Sequence, residues 1–321
     1  MTWRVLAAVA SLALEALAPQ PSFRARVDAV RLDVLATRDG VPVAGLTADD
    51  FEVRDNGVLQ DVTSAGALEA VQLGVVLDTS GSMTGDRIAI VRAATSQLIG
   101  QLRPKDSVAV VAFGDQVGSL ARRSSPDAFP LESLDRLRPG GSTALLDGIY
   151  AGLLESGPGR GPQLLLVMTD GRNNLSTLSG ARIIDVARRL ETAIYPVAVE
   201  VDSNTQVLRG WLNQRDGSAR QTHPSESVNR SDTKTATNDA LALLRLLADA
   251  TGGRAIEAKW NAQLGDAFRA VLEEYRQRYI LLFTPTSVAT GDGWHALDVR
   301  VRGKGVHVRA RTRYWSGMAV P

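Results

Sequence analysis

Cysteine is missing from all 321 residues. With it go a disulfide framework, a thiolate metal site, a cysteine nucleophile and a lipid-modified cysteine anchor. Histidine is scarce, with only His223, His295 and His307 present. The first lies in a polar stretch and the other two in or beside terminal strands. Since no Gly-x-Ser-x-Gly elbow accompanies them, a serine hydrolase is disfavoured. The absence of a Gly-x-x-x-x-Gly-Lys phosphate loop argues against a nucleotide-driven motor. Neither sign of charge dominates: 36 Lys and Arg face 35 Asp and Glu, for a formal charge of +1. No global field therefore recruits nucleic acid or an anionic membrane, and partners have to be argued from a site.

Long apolar runs are also missing, the run Val5 to Leu14 being far shorter than the ~20 residues that cross a bilayer. Preceded by Arg4 and followed by Ala16-Leu17-Ala18 and Pro19, that run has the order of a secretory signal peptide over residues 1–18, with Glu15 as its one imperfection. Cleavage there leaves no integral span. An exported chain without cysteine fits a bacterial periplasm or cell surface.

Length suits about two domains of ordinary size. In residues 19–69, Val30, Leu32 and Val34 alternate with Arg31 and Asp33. Phe51 to Arg54 then runs through Asp55-Asn56-Gly57 into Val58 to Val62, a hairpin signal, and Thr47 with Asp50 suits a short capped helical turn. So few strands bury too little surface alone. Tyr279 to Phe283, Trp294 to Val301 and Val306 to Arg313 supply more, the last two turned by Gly303-Lys304-Gly305, so residues 278–321 are expected to complete one small β-sandwich with the N-terminal strands. Arg300, Arg302, Arg309, Arg311 and Arg313 alternate there and predict a solvated basic stripe on one sheet face.

Residues 70–277, between the two halves, alternate strand and helix, the signature of an α/β fold with a mainly parallel sheet covered on both faces. Strands are expected at Leu73 to Leu77, Val108 to Phe113, Gln163 to Thr169, Ile194 to Glu200 and Ala255 to Ala258, with an antiparallel edge at Val117 to Ala121. Ile88, Val91, Leu98 and Leu102 share one helix face, as do Ile183, Val186, Ala187 and Leu190, and a last helix runs from about Asn261 to Gln277. The polar stretch 202–239, with Trp211 in its first part, reads as a long surface loop.

Behind the first of these apolar runs stands Asp78-Thr79-Ser80-Gly81-Ser82. A carboxylate and two hydroxyls at alternate positions of a turn can face one small space, and hard oxygen donors suit Mg²⁺ or Mn²⁺. Gly140-Gly141-Ser142-Thr143 opens a helical stretch, and Leu164 to Asp170 is a second buried strand ending in a carboxylate. The plainer alternative is that Ser80, Ser82 and Thr143 cap helices while the two Asp residues end strands.

The order Asp78, Ser80, Ser82, Thr143, Asp170 resembles the metal-ion-dependent adhesion site of von Willebrand factor type A domains. Gly45 to Val53, Leu77 to Met83, Gly140 to Gly148, Val167 to Gly171, Thr251-Gly252-Gly253, Tyr279 to Pro285 and Val308 to Tyr314 resemble the acidobacterial VWFA-related family in particular. That family usually has an aromatic residue where this chain has Leu146. The resemblance implies a doubly wound, Rossmann-like type A domain inserted in the β-sandwich, with the strands ending in Asp78 and Asp170 side by side. It implies that Ser80, Ser82 and Thr143 bind the cation directly and that the two carboxylates act directly or through water. It further implies an exported module that uses Mg²⁺ or Mn²⁺, with Ca²⁺ a further candidate, to grip a carboxylate of a protein partner.

Asp147, one helical turn beyond Thr143, suits either a second layer of support for a metal-bound water or an ordinary capping or solvated carboxylate. A structural envelope protein with an incidental metal is the alternative function. A haloacid-dehalogenase-like phosphatase also places Asp after a strand, but its acid/base Asp two positions later is replaced here by Ser80.

Overall fold

A computed structural model describes residues 29–156, 163–199, 242–260, 263–286, 293–303 and 305–316. The expected signal peptide, the 202–239 loop, Trp211 and His223 lie outside the described residues. The N-terminal part contributes β1 (Val30–Arg38), β2 (Val41–Pro42), β3 (Phe51–Asp55), β4 (Val58–Gln60) and β5 (Val62–Ala67). The middle contributes β6 (Gln72–Asp78), α1 (Asp86–Ile99), β7 (Ser107–Phe113), β8 (Val117–Ser124), α2 (Leu145–Ser156), β9 (Gln163–Thr169), α3 (Gly180–Arg189), β10 (Thr192–Val199), α4 (242–251), β11 (Ile256–Ala258) and α5 (Gln263–Arg276). The C-terminal part adds β12 (Tyr279–Phe283), β13 (Gly293–Val301), β14 (His307–Arg309) and β15 (Arg313–Ser316).

The middle forms a six-stranded sheet in the order β11-β10-β9-β6-β7-β8. All its pairings are parallel except that of β7 with the edge strand β8. Strands β6 and β9 are direct neighbours, with Leu77 opposite Met168. Both are buried along almost their whole length, as expected of a parallel sheet covered on two faces. Alternation splits each strand between two cores: Leu73, Val75 and Leu77 pack with α1 and α5, whereas Val76, Leu165 and Val167 pack with α2, α3 and α4.

Two glycines fix how closely α2 lies on the sheet. A Cβ on Gly148 would stand 2.6 Å from the Phe113 ring, and one on Gly152 would stand 2.3 Å from Val76 Cγ2. Any larger residue would lift the helix, and with it the segment that carries Thr143.

The remaining strands make a sandwich. Strand order is β14-β1-β12-β5, with β2 beside β1, in one sheet and β15-β13-β3-β4 in the other. Leu32, Val34, Phe51, Val53, Leu281 and Phe283 fill the space between them. Val30 lies opposite Phe283, so N-terminal and C-terminal strands share a sheet. The hairpin at Asn56-Gly57 forms as expected, with φ of 48° and 85° as a two-residue mirror-image turn requires.

Three expectations need correction. Val58 to Val62 is not one strand: it breaks at Asp61, where the chain passes from one sheet to the other. Val306 to Arg313 is not one strand either, and Gly303 to Gly305 does not turn a neighbouring pair. After β13 the chain changes sheet, pairs β14 with β1, then returns to pair β15 with β13. The interruption falls at Arg311, which is buried, donates to Arg31 O at 2.6 Å and meets Glu191 at 2.8 Å. Satisfying that guanidinium takes precedence over strand continuity, because a buried charge without a partner is costly. The basic stripe dissolves for the same reason, since Arg309 pairs with Glu274 at 2.7 Å and Arg311 turns inward, leaving only Arg300, Arg302 and Arg313 exposed.

Candidate metal centre

Asp78, Ser80, Thr143 and Asp170 are all at most 2 % exposed, while Ser82 is half-buried at the rim. They gather at the carboxyl ends of β6 and β9, the end of an open α/β sheet where ligands bind. The sandwich meets the opposite end: Tyr275 donates to Asp33 Oδ2 at 3.0 Å, Arg278 donates to Asp33 O at 3.1 Å, and Glu191, just before β10, pairs with Arg31 and Arg311. The site consequently faces away from it.

The first loop is held by its own carboxylate. Asp78 Oδ1 accepts from Ser80 N at 2.9 Å and Ser80 Oγ at 2.6 Å, and Ser80 Oγ lies 3.1 Å from Ser82 Oγ. Neither serine caps α1, whose first turn is preceded by Gly85 with no side-chain cap. Thr79 turns the other way and donates to Phe113 O at 2.9 Å. Gly81 N donates to Gly141 O at 3.0 Å, joining this loop to the one that carries Thr143; a Cβ on Gly81 would be 3.2 Å from that same oxygen.

Thr143 is tied to the third loop by its backbone. Its N–H donates to Asn174 Oδ1 at 2.7 Å, and its carbonyl accepts from Asn174 N at 3.0 Å and Leu175 N at 3.1 Å. It does not cap α2: Leu145 N and Leu146 N donate instead to Asn173 Oδ1 and Ser176 Oγ, from the loop after β9. Asp147 accepts from Thr177 N at 2.9 Å, Thr177 Oγ1 at 3.1 Å and Leu178 N at 3.0 Å, so it clamps that loop onto α2. It therefore acts as a loop anchor. Leu146 is fully buried in the core on the α2 side.

Three polar residues of the third loop, Asn173, Asn174 and Ser176, hold the site together and went unnoticed in sequence, as did Thr169. Thr169 Oγ1 donates to Asp78 Oδ2 at 2.9 Å and accepts from Gly171 N at 3.0 Å, linking the two acid-bearing loops. The one available signal was its position directly before Asp170.

Five oxygen-bearing side chains thus share one end of the sheet, without nitrogen or sulfur donors. Among the described residues no three acidic or imidazole side chains gather to form a metal site by themselves, so hydroxyls are needed to complete any coordination shell. Asp78 is pushed up to about 7, chiefly by burial and next by the charge of Asp170, against the pull of its Ser80 and Thr169 donors. A floor of two buried, mutually repelling carboxylates with neutral hydroxyls around it fits a small hard cation.

The von Willebrand factor type A domain model matches residues 73–234, half of the chain. The chain belongs to the von Willebrand factor type A family. Uncharacterized protein sll0103 of Synechocystis sp. is 30 % identical over 107 residues, which is 32 % of this chain and 26 % of that protein; the chain thus spans about a quarter of the length of this curated relative. Similar solved structures include von Willebrand factor type A from Catenulispora acidiphila, at 14 % identity and TM-score 0.47 over 85 % of this chain and 75 % of that one. Another is proximal thread matrix protein 1 from the mussel byssus with a zinc-occupied MIDAS motif, at 16 % identity and TM-score 0.46 over 67 % and 47 %. A third is an aerotolerance-related membrane protein from Bacteroides fragilis, at 16 % identity and TM-score 0.44 over 65 % and 98 %.

Proposed function

We propose that Asp78, Ser80, Ser82, Thr143 and Asp170 hold one divalent cation, and that the cation grips a carboxylate on a protein partner. The observation that carries this reading is the buried Asp78–Asp170 pair ringed by hydroxyls at the sheet end facing away from the sandwich. Mg²⁺ takes six oxygens and readily keeps waters, so such a set leaves room for a partner's oxygen; Mn²⁺ is the second candidate and Ca²⁺ a third. The role is binding rather than catalysis. Supplying charge to a carboxylate is what the cation contributes, while the protein's part is to hold hydroxyls and acids in place before the partner arrives.

The proposal includes export to a periplasm or cell surface, supported by the charged, apolar and small-residue order of Met1 to Ala18 and the lack of cysteine. Among the described residues no helix is long and apolar enough to cross a membrane.

The test is calorimetric titration of Mg²⁺ and Mn²⁺ into the EDTA-stripped chain, with Asp78→Ala alongside. One saturable site is expected in the wild type and a loss of at least about a hundredfold in the variant, since a charged ligand is removed. Binding that survives Asp78→Ala refutes the assignment.

A further inference from the structure

Asp170 carries a contact that a bare metal site does not need. The Arg172 backbone N–H donates to Asp170 Oδ1 at 3.1 Å, and Arg172 Nε stands 3.3 Å from Asp170 Oδ2. The carboxylate side chain is 3 % exposed while the guanidinium side chain is 34 % exposed, so a cation on a flexible stem reaches in from the surface onto a buried acid. Asp78 is treated differently, since its donors, Ser80 N, Ser80 Oγ and Thr169 Oγ1, are neutral. Of the two repelling acids, Asp170 has a cation from the protein beside it, and the donors that reach Asp78 are neutral. Gly171, between Asp170 and Arg172, has φ of 83°, a backbone conformation that folds the chain back so that residue 172 can reach residue 170.

We propose that Arg172 is a built-in counter-cation for this site: its guanidinium holds Asp170 Oδ2 until a divalent cation takes that oxygen over, and then turns to the partner's acidic group. This rests on the metal-binding reading of the same residues. The arrangement selects by charge. A monovalent ion offers Asp170 no more charge than the guanidinium it would displace, whereas a divalent ion offers twice as much. Arg172 and the metal must then oppose each other, and by linkage each weakens the hold of the other equally.

The experiment compares the full-length wild type with Arg172→Gln and Arg172→Lys, using Mg²⁺ alone as the probe. Calorimetry should show Arg172→Gln binding Mg²⁺ about tenfold more tightly, because a nearby positive charge has been removed from a partly screened position. Arg172→Lys should stay within about threefold of wild type, since it keeps the charge while losing the Nε contact. In thermal melts Arg172→Gln should fall several degrees below wild type in EDTA and equal it in saturating Mg²⁺. A purely structural role would lower both melts alike and overturn the proposal. So would unchanged or weaker Mg²⁺ binding by Arg172→Gln when the wild type binds. If neither protein takes up Mg²⁺, the metal reading itself falls and the counter-cation with it.

Discussion

The two ends of the type A sheet spend charge in opposite ways. At the amino end, where the sandwich docks, several charges among the described residues are paired across the junction. Arg278 is buried, stacks over the rings of Tyr195 and Tyr275 at 5.7 and 5.2 Å, and donates to Asp33 O, to the Tyr195 hydroxyl and to Gly252 O. Glu274 receives Arg254 and Arg309, each at 2.7 Å, and Glu191 receives Arg31 at 2.9 Å and Arg311 at 2.8 Å. At the carboxyl end two acids share a floor with hydroxyls, and the cation in contact, Arg172, is one-third exposed. Charge at the first end is committed to holding the sandwich on. At the second, on the proposed function, it is kept for a cation that comes and goes.

The strongest way to break this contrast is at the junction. Arg278→Ala removes the cation while leaving its ring and carbonyl partners buried, which should cost roughly 3–5 kcal/mol of unfolding free energy in denaturant titrations. Mg²⁺ affinity should stay within twofold by calorimetry, a factor of about 0.4 kcal/mol. A large loss of affinity would mean that the two ends are not independent.

The second effect is on pH. Asp78 is raised from 3.8 to about 7 in the folded, metal-free protein, so between those values the folded state holds a proton that the unfolded state has released. Its contribution is therefore fully present below about pH 4 and is lost as pH rises through about 7. Melts in EDTA from pH 4 to 8 should show wild type losing stability relative to Asp78→Asn across that window, and Mg²⁺ should restore more at pH 7.5 than at pH 5.5. The opposite slope would show that burial and the neighbouring Asp170 do not raise Asp78.

The smallest effect expected is that of Thr143→Ala. The hydrogen bonds placing residue 143 use its backbone, so folding should be untouched and Mg²⁺ affinity should fall about tenfold by calorimetry, the loss of one neutral ligand.

What the sequence disclosed followed from local cause. Leu73 to Leu77 and Gln163 to Thr169 are apolar runs that only a covered strand can bury, and the acid-hydroxyl loop sits directly behind the first, so strand and site were read together. The adjacency of β6 and β9 came from family resemblance, and the register Leu77 opposite Met168 agrees with it. What stayed hidden depended on distant partners. Asn173, Asn174 and Ser176 look like any polar loop until α2 presents its unpaired N–H groups to them. Arg311 reads as one more residue of a basic strand until Glu191, from a loop far earlier in the chain, draws it inward. Helix α4, just beyond the polar stretch, was not read from the sequence. The Thr251-Gly252-Gly253 motif after it becomes intelligible only against other elements. A Cβ at Gly252 would stand 2.7 Å from the Ala310 carbonyl carbon, and one at Gly253 would overlap the Ile194 carbonyl oxygen at 1.9 Å.

Because β1 pairs with β12 and β14, the first of the described strands has only the short β2 as a partner until residues 279–309 have been made. The intervening sheet, by contrast, can assemble from neighbouring segments as they emerge. Synthesis order thus imposes a timetable in which the type A unit is ready before the sandwich closes. A chain cut short before residue 279 would carry a nearly complete site on a body whose sandwich strands have no sheet to join, the kind of exposed edge that proteases remove and aggregates recruit.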